Sequence, residues 1–264
     1  MTSVTIQSLT AMKRDNKKFS CLTAYDATFS RIIAEAGIET ILVGDSLGNV
    51  LQGHDTTVPV TTSDIAYHTA AVSRCSGKAM VIADLPFMSY ATAVQAMTNA
   101  TLLMQAGAHA VKLEGGTWLC DTISMLTERG IPVCAHLGLT PQSVNTLGGF
   151  KVQGRSAKQA DKIIEDAKAI EQAGAGVLFL ECVPSELAKT ITELLTIPVI
   201  GIGAGSHTDA QVLVLHDMLG LNPRPAKFVK NFMADGANTI QQAISNYAQE
   251  VKEGIFPGPE HSFK

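Results

Sequence analysis

Short runs of apolar residues recur along the chain, and each run leads into Gly, Pro or an acidic residue. Continuous apolar runs of this length are typical of strands that are buried on both faces. We count eight of them: FSCLTAYD, TILVGDS, AMVIADLP, AVKLEGG, PVCAHLGL, GVLFLECVP, PVIGIGAG and VLVLHDMLG. The pattern therefore predicts eight strands, the last of them within residues 212–220.

The segments between these runs have apolar residues at three- and four-residue spacing and are rich in strong helix formers. Three of them reach the next strand through an Ala-Gly pair, at 36/37, 106/107 and 173/174, where glycine suits a helix C-cap. Alternation of buried strands and crossover helices favours an α/β fold of the (β/α)8 TIM barrel type. The pattern alone leaves an open, doubly wound sheet as an alternative. We expect one domain over residues 1–264, with a C-terminal helix and tail.

Two segments are too long for ordinary βα loops: residues 46–62 after the second strand and residues 138–157 after the fifth. We expect both to cover an active site. The last helical segment, residues 237–253, lies outside the eight-unit count, and we expect it to pack on the barrel or on a neighbouring subunit.

Composition narrows the possible partners. The formal net charge is -4 with 17% charged residues, which gives no basic field for a nucleic acid or an anionic membrane surface. The five cysteines are widely spaced and show neither C-x-x-C nor zinc-ligand spacing. We therefore expect a cytoplasmic protein that acts on small molecules and binds neither nucleic acid nor membrane.

Charged and imidazole side chains lie at the predicted strand ends, where the βα loops of a barrel converge and catalytic groups are found. These residues are Asp26, Asp45, Asp84, Lys112, Glu114, His136, Glu181, His216 and Asp217. Converging carboxylates need a compensating charge, and Mg²⁺ commonly takes one or two of them while keeping positions for water and substrate oxygens. We predict Mg²⁺ with Asp45 and Asp84 as direct ligands; Mn²⁺ or Co²⁺ could replace it.

Lys112 and Glu114 are two residues apart in a predicted strand, so their side chains share one face. One can bind a substrate anion while the other serves the metal. Alternatively, they pair with each other, or with neighbouring strands, as a buried salt bridge that closes the barrel. The residues alone leave both interpretations open.

Three further features each have two interpretations. Glu181 follows an apolar wall of the kind that favours a general base, or it caps the next helix. His136 polarises a bound carbonyl group, or it is a hydrogen-bonded structural residue. The GIGAG segment, residues 201–205, binds phosphate on backbone N–H groups, or its glycines only permit close backbone approach.

Longer stretches are similar to one family throughout nearly the whole chain. They are LTAYD, VGDSLGNVLQGHDTTVPVT, IAYHTAAV, ADLPFMSY, VKLEGG, AHLGLTPQSVNTLGGFKVQGR, LECVP, IGIGAG and PGPEHSF, in this order. Together they resemble the ketopantoate hydroxymethyltransferase family. Phe150 stands where that family usually has Tyr, and Ala210 replaces a Gly.

The resemblance implies a barrel of the phosphoenolpyruvate/pyruvate-utilising type, a Mg²⁺ requirement and a homodecamer built from pentamer rings. The implied reaction transfers a hydroxymethyl group from 5,10-methylenetetrahydrofolate to 3-methyl-2-oxobutanoate and gives 2-dehydropantoate for pantothenate and coenzyme A synthesis.

The resemblance also implies roles for individual residues. Asp45 and Asp84 match the metal ligands, and Glu114 matches a third metal-site acid that acts through water. Ser46 and Lys112 match positions that hold the keto acid.

Glu181 matches the catalytic base of the family. We also expect Asp45, Asp84 and His136 to contact the substrate.

Two other functions would suit the same barrel. The first is a Mg²⁺-dependent C–C lyase acting on a 2-oxo acid, although the cysteine-containing loop motif general to such lyases is missing from the sequence. The second is a catalytically silent barrel that serves as a binding module. A silent barrel would have Ala, Asn or Ser in place of the strand-end acids, whereas this sequence has Asp45, Asp84, Glu114 and Glu181.

Overall fold

The computed structural model describes residues 3–264. Eight parallel strands close into a barrel in sequence order, with β1 paired to β8. The strands are β1 Phe19–Thr23, β2 Thr40–Val43, β3 Met80–Asp84, β4 Ala110–Glu114, β5 Val133–Gly138, β6 Val177–Glu181, β7 Val199–Ile202 and β8 Ala210–Leu213. The predicted TIM barrel is confirmed, and the open sheet is wrong.

Helices follow the strands and surround the barrel. They are α1 Ile6–Arg14, α2 Ala27–Glu35, α3 Leu47–Val50, α4 Thr62–Ser73, α5 Ala93–Gln105, α6 Cys120–Glu128, α7 Val144–Leu147, α8 Ala157–Gln172, α9 Ser185–Leu194, α10 Leu215–Met218 and α11 Ile240–Glu253. No helix within residues 3–264 is both long and apolar enough to cross a membrane.

Successive strand residues alternate between two apolar layers. On β3, Val81 and Ala83 pack outward against the helices, whereas Met80 and Ile82 fill the barrel interior. The same alternation puts Ala110 of β4 in the interior. Side chains two and four residues further along β4 therefore point into the barrel as well.

Helix α1 closes the barrel at the N-terminal ends of the strands. The sequence pattern did not predict this helix. The side chain of Thr5 caps this helix, and Leu9 is fully buried among the interior residues of the barrel. One apolar residue on a short amphipathic helix thus seals the end opposite the predicted site.

The last helix, α11, packs on the barrel, as expected. Its Tyr247 is fully buried, and the hydroxyl lies 2.9 Å from the carbonyl oxygen of Cys21 and 2.8 Å from that of Gln211. These two carbonyls belong to β1 and β8, so a single side chain from outside the eight-unit repeat bridges the strands where the barrel closes.

Two predicted positions need correction. Strand β8 begins at Ala210 and ends at Leu213, because residues 215–218 form the short helix α10. His216 and Asp217 thus lie on α10 rather than at a strand end. Asp26 is the exposed N-cap of α2, and its carboxylate accepts a hydrogen bond from the backbone N–H of Phe29.

Candidate active site

A cavity of about 200 Å³ opens at the C-terminal ends of the strands. All seven predicted site residues line it: Asp45, Ser46, Asp84, Lys112, Glu114, His136 and Glu181. Residues from both long loops, including Asn49 and Phe150, contribute to the wall. The structure therefore brings the predicted residues together at the predicted end of the barrel.

Strand register explains how the charged residues meet. Asp84 at the end of β3 is the register partner of Lys112 on β4, and Glu114 is the partner of His136 on β5. Neighbouring residues in register have adjacent side chains on the same face. Acidic side chains, Asp84 and Glu114, thus lie next to basic side chains, Lys112 and His136, on the inner face of the barrel.

Lys112 forms its shortest contact with Asp84, at 2.6 Å between Nζ and Oδ1, and both side chains are nearly inaccessible to solvent. Its Nζ lies 3.9 Å from Oε1 of Glu114. Burial opposes the charged form of Lys112, but the carboxylates of Asp84, Glu114 and Asp45 outweigh burial and raise its pKa. The lysine is therefore a fixed cation whose principal partner is Asp84 rather than Glu114.

Asp45 follows β2 and lies against Asp84. Its backbone N–H donates a hydrogen bond to Oδ2 of Asp84 at 3.0 Å. Burial first, and then the negative charges of Asp84 and Glu114, raise the pKa of Asp45 well above its usual range. The ionised form of this carboxyl is therefore favoured by additional positive charge in the cavity.

His136 lies between two carboxylates. Its Nδ1 is 3.2 Å from Oε1 of Glu114, and its Nε2 is 3.4 Å from Oε2 of Glu181. Neither contact is aligned as a hydrogen bond. Burial would lower the pKa of His136, but the Glu114 charge and the two acidic contacts raise it to about 9, and the imidazolium in turn helps to hold the pKa of Glu114 low.

Glu181 ends β6 and does not cap the following helix. Helix α9 begins after Pro184 without any side-chain cap, which contradicts the capping interpretation. The carboxylate contacts His136 instead and is 15% exposed, whereas Glu114 is 2% exposed. Of these two acids, Glu181 is the one that a molecule in the cavity can reach more easily.

The strand next to Glu181 approaches it closely because of a glycine. Gly138 at the end of β5 has a φ of +89°, and a Cβ atom built there would lie 2.2 Å from the backbone oxygen of Glu181. Any side chain at this position would collide with the β6 backbone. Glycine thus permits the ends of β5 and β6 to approach each other closely.

Ser46, adjacent to Asp45, shares a 2.8 Å hydrogen bond between its Oγ and the Tyr25 hydroxyl. Either oxygen can be the donor. This contact positions the serine hydroxyl at the cavity wall.

The GIGAG segment supports the structural interpretation of its glycines. A Cβ atom on Gly203 would lie 2.8 Å from the Phe228 ring, and one on Gly205 would lie 2.1 Å from Oγ of Ser185. Both glycines have positive φ angles, +59° and +79°. Close approach accounts for their presence.

Sequence reasoning missed Gln142, a buried residue in the loop after β5. Its Nε2 donates to Oδ2 of Asp45 at 2.9 Å, and its backbone N–H donates to Oε2 of Glu114 at 3.1 Å. Tyr90, another missed residue, contacts Gln142 and stacks on Trp118 with ring centroids 6.1 Å apart. The spacing of residues along the sequence does not reveal these contacts, because they depend on the conformation of the loop.

The acids do not form a three-ligand metal cluster. Among residues 3–264 no group of three or more His, Cys, Asp and Glu side chains is arranged to hold one ion. This arrangement is compatible with Mg²⁺, which often takes only one or two protein carboxylates and completes its octahedron with water and substrate.

Comparison with known proteins identifies the family. The family model described as ketopantoate hydroxymethyltransferase matches residues 3–259. A 3-methyl-2-oxobutanoate hydroxymethyltransferase from Shewanella sediminis is 60% identical over 267 residues, covering all of both chains. The 3-methyl-2-oxobutanoate hydroxymethyltransferase 2 of Hahella chejuensis is 59% identical over 262 residues, 99% of each chain.

Solved structures with the same fold are more distant. A 2,3-dimethylmalate lyase, described as a PEP mutase/isocitrate lyase superfamily member, has a TM-score of 0.58 at 17% identity and covers 96% of this chain and 98% of its own. A phosphonopyruvate hydrolase solved with oxalate and Mg²⁺ has a TM-score of 0.60 at 16% identity, with 81% of each chain covered. These likenesses show the fold, whereas the full-length sequence matches show the family. The chain belongs to the ketopantoate hydroxymethyltransferase family.

Proposed function

We propose that this enzyme transfers a hydroxymethyl group from 5,10-methylenetetrahydrofolate to 3-methyl-2-oxobutanoate, forming 2-dehydropantoate and tetrahydrofolate for pantothenate synthesis. The observation that supports this most strongly is the full-length identity of about 60% to enzymes with that name, together with a cavity lined by all seven predicted site residues. One water is consumed overall, because the methylene carbon gains a hydroxyl group as it leaves the folate.

The donor set fits a hard divalent cation. Five carboxyl groups line the cavity, those of Asp45, Asp84, Glu114, Glu181 and Asp217, and only two cationic groups, Lys112 and a protonated His136, lie among them. The acids therefore outnumber the cationic groups, and a divalent cation offsets the excess negative charge. We propose Mg²⁺ with Asp45 and Asp84 as direct ligands and Glu114 acting through water.

Bound Mg²⁺ would polarise the 2-oxo group of the keto acid and stabilise the negative charge that develops when C3 loses its proton. The protein must then hold the carboxylate of the substrate. Lys112 can do this because an ammonium group has three donor protons, of which its contact with Asp84 uses one. The Ser46 hydroxyl, with Tyr25 behind it, supplies a second polar contact.

Glu181 is proposed as the general base that removes the C3 proton. His136 contacts Oε2 and holds the carboxylate in place, while Oε1 can accept the proton. Water adds to the methylene carbon of the folate, both C–N bonds of that carbon break, and the two water protons go to the two folate nitrogens. The C3 electron pair then adds to the one-carbon carbonyl group so released, whose oxygen takes up the proton that Glu181 removed and becomes the hydroxyl group. His136 also lines the cavity, where its imidazole can orient a substrate oxygen.

A C–C lyase is the alternative with the same fold. Its support is the structural likeness to a 2,3-dimethylmalate lyase, which at 17% identity concerns the barrel alone. The sequence matches therefore favour transfer over cleavage.

The deciding experiment measures 2-dehydropantoate formation from 3-methyl-2-oxobutanoate and 5,10-methylenetetrahydrofolate, with Mg²⁺ and with EDTA. We expect product only when keto acid, folate and Mg²⁺ are all present. Cleavage of a 2-oxo acid without folate would contradict transferase activity and support the lyase. Full activity in EDTA would contradict the metal.

We further propose a cytoplasmic homodecamer without nucleic acid or membrane partners. The family resemblance supports the decamer. The net charge of -4 argues against nucleic acid and membrane partners, and the five free cysteines suit the reducing cytoplasm.

A further inference from the structure

Gln142 is a buried neutral side chain next to two acids of the cavity wall, Asp45 and Glu114, and every polar atom of its side chain has a partner. Nε2 donates to Asp45 Oδ2 at 2.9 Å and to the backbone oxygen of Leu85 at 3.0 Å. Oε1 accepts from the Tyr90 hydroxyl at 2.5 Å. The residue is 4% exposed. A buried amide with all its groups satisfied is held in one orientation.

The partners also determine which way the amide points. Asp45 and the Leu85 carbonyl can only accept, so they require the NH₂ group on their side. Tyr90 has one proton to donate, and its shortest contact is with Oε1 of Gln142. A flipped amide would set its oxygen against a carboxylate and a carbonyl.

The backbone of Gln142 acts on a second acid. Its N–H donates to Oε2 of Glu114, while Oε1 of that carboxylate faces His136 and Lys112. One residue of the β5 loop thus holds one oxygen of Asp45 and one of Glu114. Among residues 3–264, Oδ1 of Asp45 has no hydrogen bond and stays available.

We propose that Gln142 is a positioning residue that orients the Asp45 carboxylate toward the metal and fixes its distance from Glu114. This inference rests on the proposed function, because it needs Asp45 to be a metal ligand. The amide orients the carboxylate without neutralising it, unlike Lys112, which pairs with Asp84. A lysine at position 142 would compete with the metal, and a glutamate would repel Asp45.

The test compares Mg²⁺ binding in purified variants by isothermal titration calorimetry, without substrates. Gln142→Met keeps the length of the side chain and loses the hydrogen bonds. Gln153→Met is the matched control, since Gln153 lies in the same loop and, within residues 3–264, its side chain bonds only to the Lys151 carbonyl. Thermal unfolding of each metal-free protein is measured beside it.

We expect Gln142→Met to weaken Mg²⁺ binding by about 10- to 100-fold, the usual effect of removing a group that orients a metal ligand. The control should bind as the wild type does. Should Gln142→Met unfold, Tyr90→Phe replaces it. This substitution removes the hydroxyl group that donates to Oε1 of Gln142 and so leaves the amide less firmly held. A smaller decrease in the same direction is then expected.

Two results would overturn the inference, and they differ in what else they contradict. If folded Gln142→Met or Tyr90→Phe binds Mg²⁺ with wild-type affinity and only its melting temperature falls, Gln142 is a structural residue and the metal site stands. If the wild type itself binds no Mg²⁺, the proposed metal site fails, and the positioning role fails with it.

Discussion

The ion pair between Lys112 and Asp84 combines a structural and a functional role in one contact. The two groups are 2.6 Å apart and 5% and 2% exposed. A buried ion pair of this kind stabilises the fold little relative to apolar residues in its place. Removing one partner nevertheless leaves the other charge buried and uncompensated. The buried salt bridge that the sequence left as an alternative is present: Lys112 pairs most closely with Asp84 on the neighbouring strand, and Glu114 lies at the longer distance of 3.9 Å.

We predict that Lys112→Ala lowers the free energy of unfolding of the metal-free enzyme by about 3 to 5 kcal/mol, because Asp84 is left buried without its cation. Keto acid binding should weaken as well, by about 1.5 to 3 kcal/mol. Denaturant unfolding and calorimetry measure the two effects. Lys162→Ala is the control, since it breaks an i,i+4 helix pair between the exposed Lys162 and Asp166, a kind of pair worth about 0.3 to 0.5 kcal/mol.

Unchanged keto acid affinity in folded Lys112→Ala would leave this lysine with its structural role alone. Lys112→Arg should not restore binding fully, because the planar guanidinium is larger than the ammonium group.

We predict that Glu181→Gln slows exchange of the C3 hydrogen for deuterium by about 10²- to 10⁴-fold, the usual contribution of a general base. The measurement uses Mg²⁺ and 3-methyl-2-oxobutanoate in D₂O without folate, followed by NMR. Glu186→Gln, on the first turn of α9, is the control. Exchange at the wild-type rate combined with loss of transfer would assign Glu181 to delivery of the one-carbon unit and removal of the C3 proton to another group of the cavity.

At the scale of elements, the alternation of apolar runs was sufficient for the eight strands, because buried parallel strands have few polar positions. The end of β8 was not predictable from that pattern. The run VLVLHDMLG continues through a turn of helix, and the pairing of Ala210 and Gln211 with β7 extends the strand in the other direction. Tertiary pairing thus overrides local hydrophobicity at this position.

The candidate site was predictable to the extent that it lies on strands. Asp84, Lys112, Glu114, His136 and Glu181 belong to strands, where register and inward direction follow from period two. Gln142 lies in a loop, whose path depends on long-range contacts that no local pattern encodes.

Helix α11 lies outside the eight strand–helix units, and its Tyr247 can be used to test whether such an element stabilises the closed barrel. We predict that Tyr247→Phe destabilises the protein by about 1 to 3 kcal/mol, since the buried carbonyls of Cys21 and Gln211 lose a donor. Tyr67→Phe, on a hydroxyl-bearing ring that is 74% exposed, should change stability by no more than about 0.5 kcal/mol. Equal stability of the two variants in urea unfolding would mean that the bridge between β1 and β8 is unimportant.

At the scale of the whole molecule, the proposed assembly has a direct measurement. We predict a particle of about ten times the 27.9 kDa chain mass in light scattering coupled to size-exclusion chromatography. Exposed apolar side chains such as Val94, Leu221 and Ile255 are available for burial between subunits. A single peak at the mass of one or two chains would contradict the decamer.

The stacking of Trp118 on Tyr90 makes the enzyme its own optical reporter. Trp118 is the only tryptophan in the sequence, and Tyr90 joins its ring to Gln142 and through it to Asp45. Tryptophan fluorescence therefore comes from one ring, which Tyr90 and Gln142 connect to Asp45. A change in its emission on adding Mg²⁺ or keto acid would follow ligand binding in real time, without a label and in every variant that retains both rings.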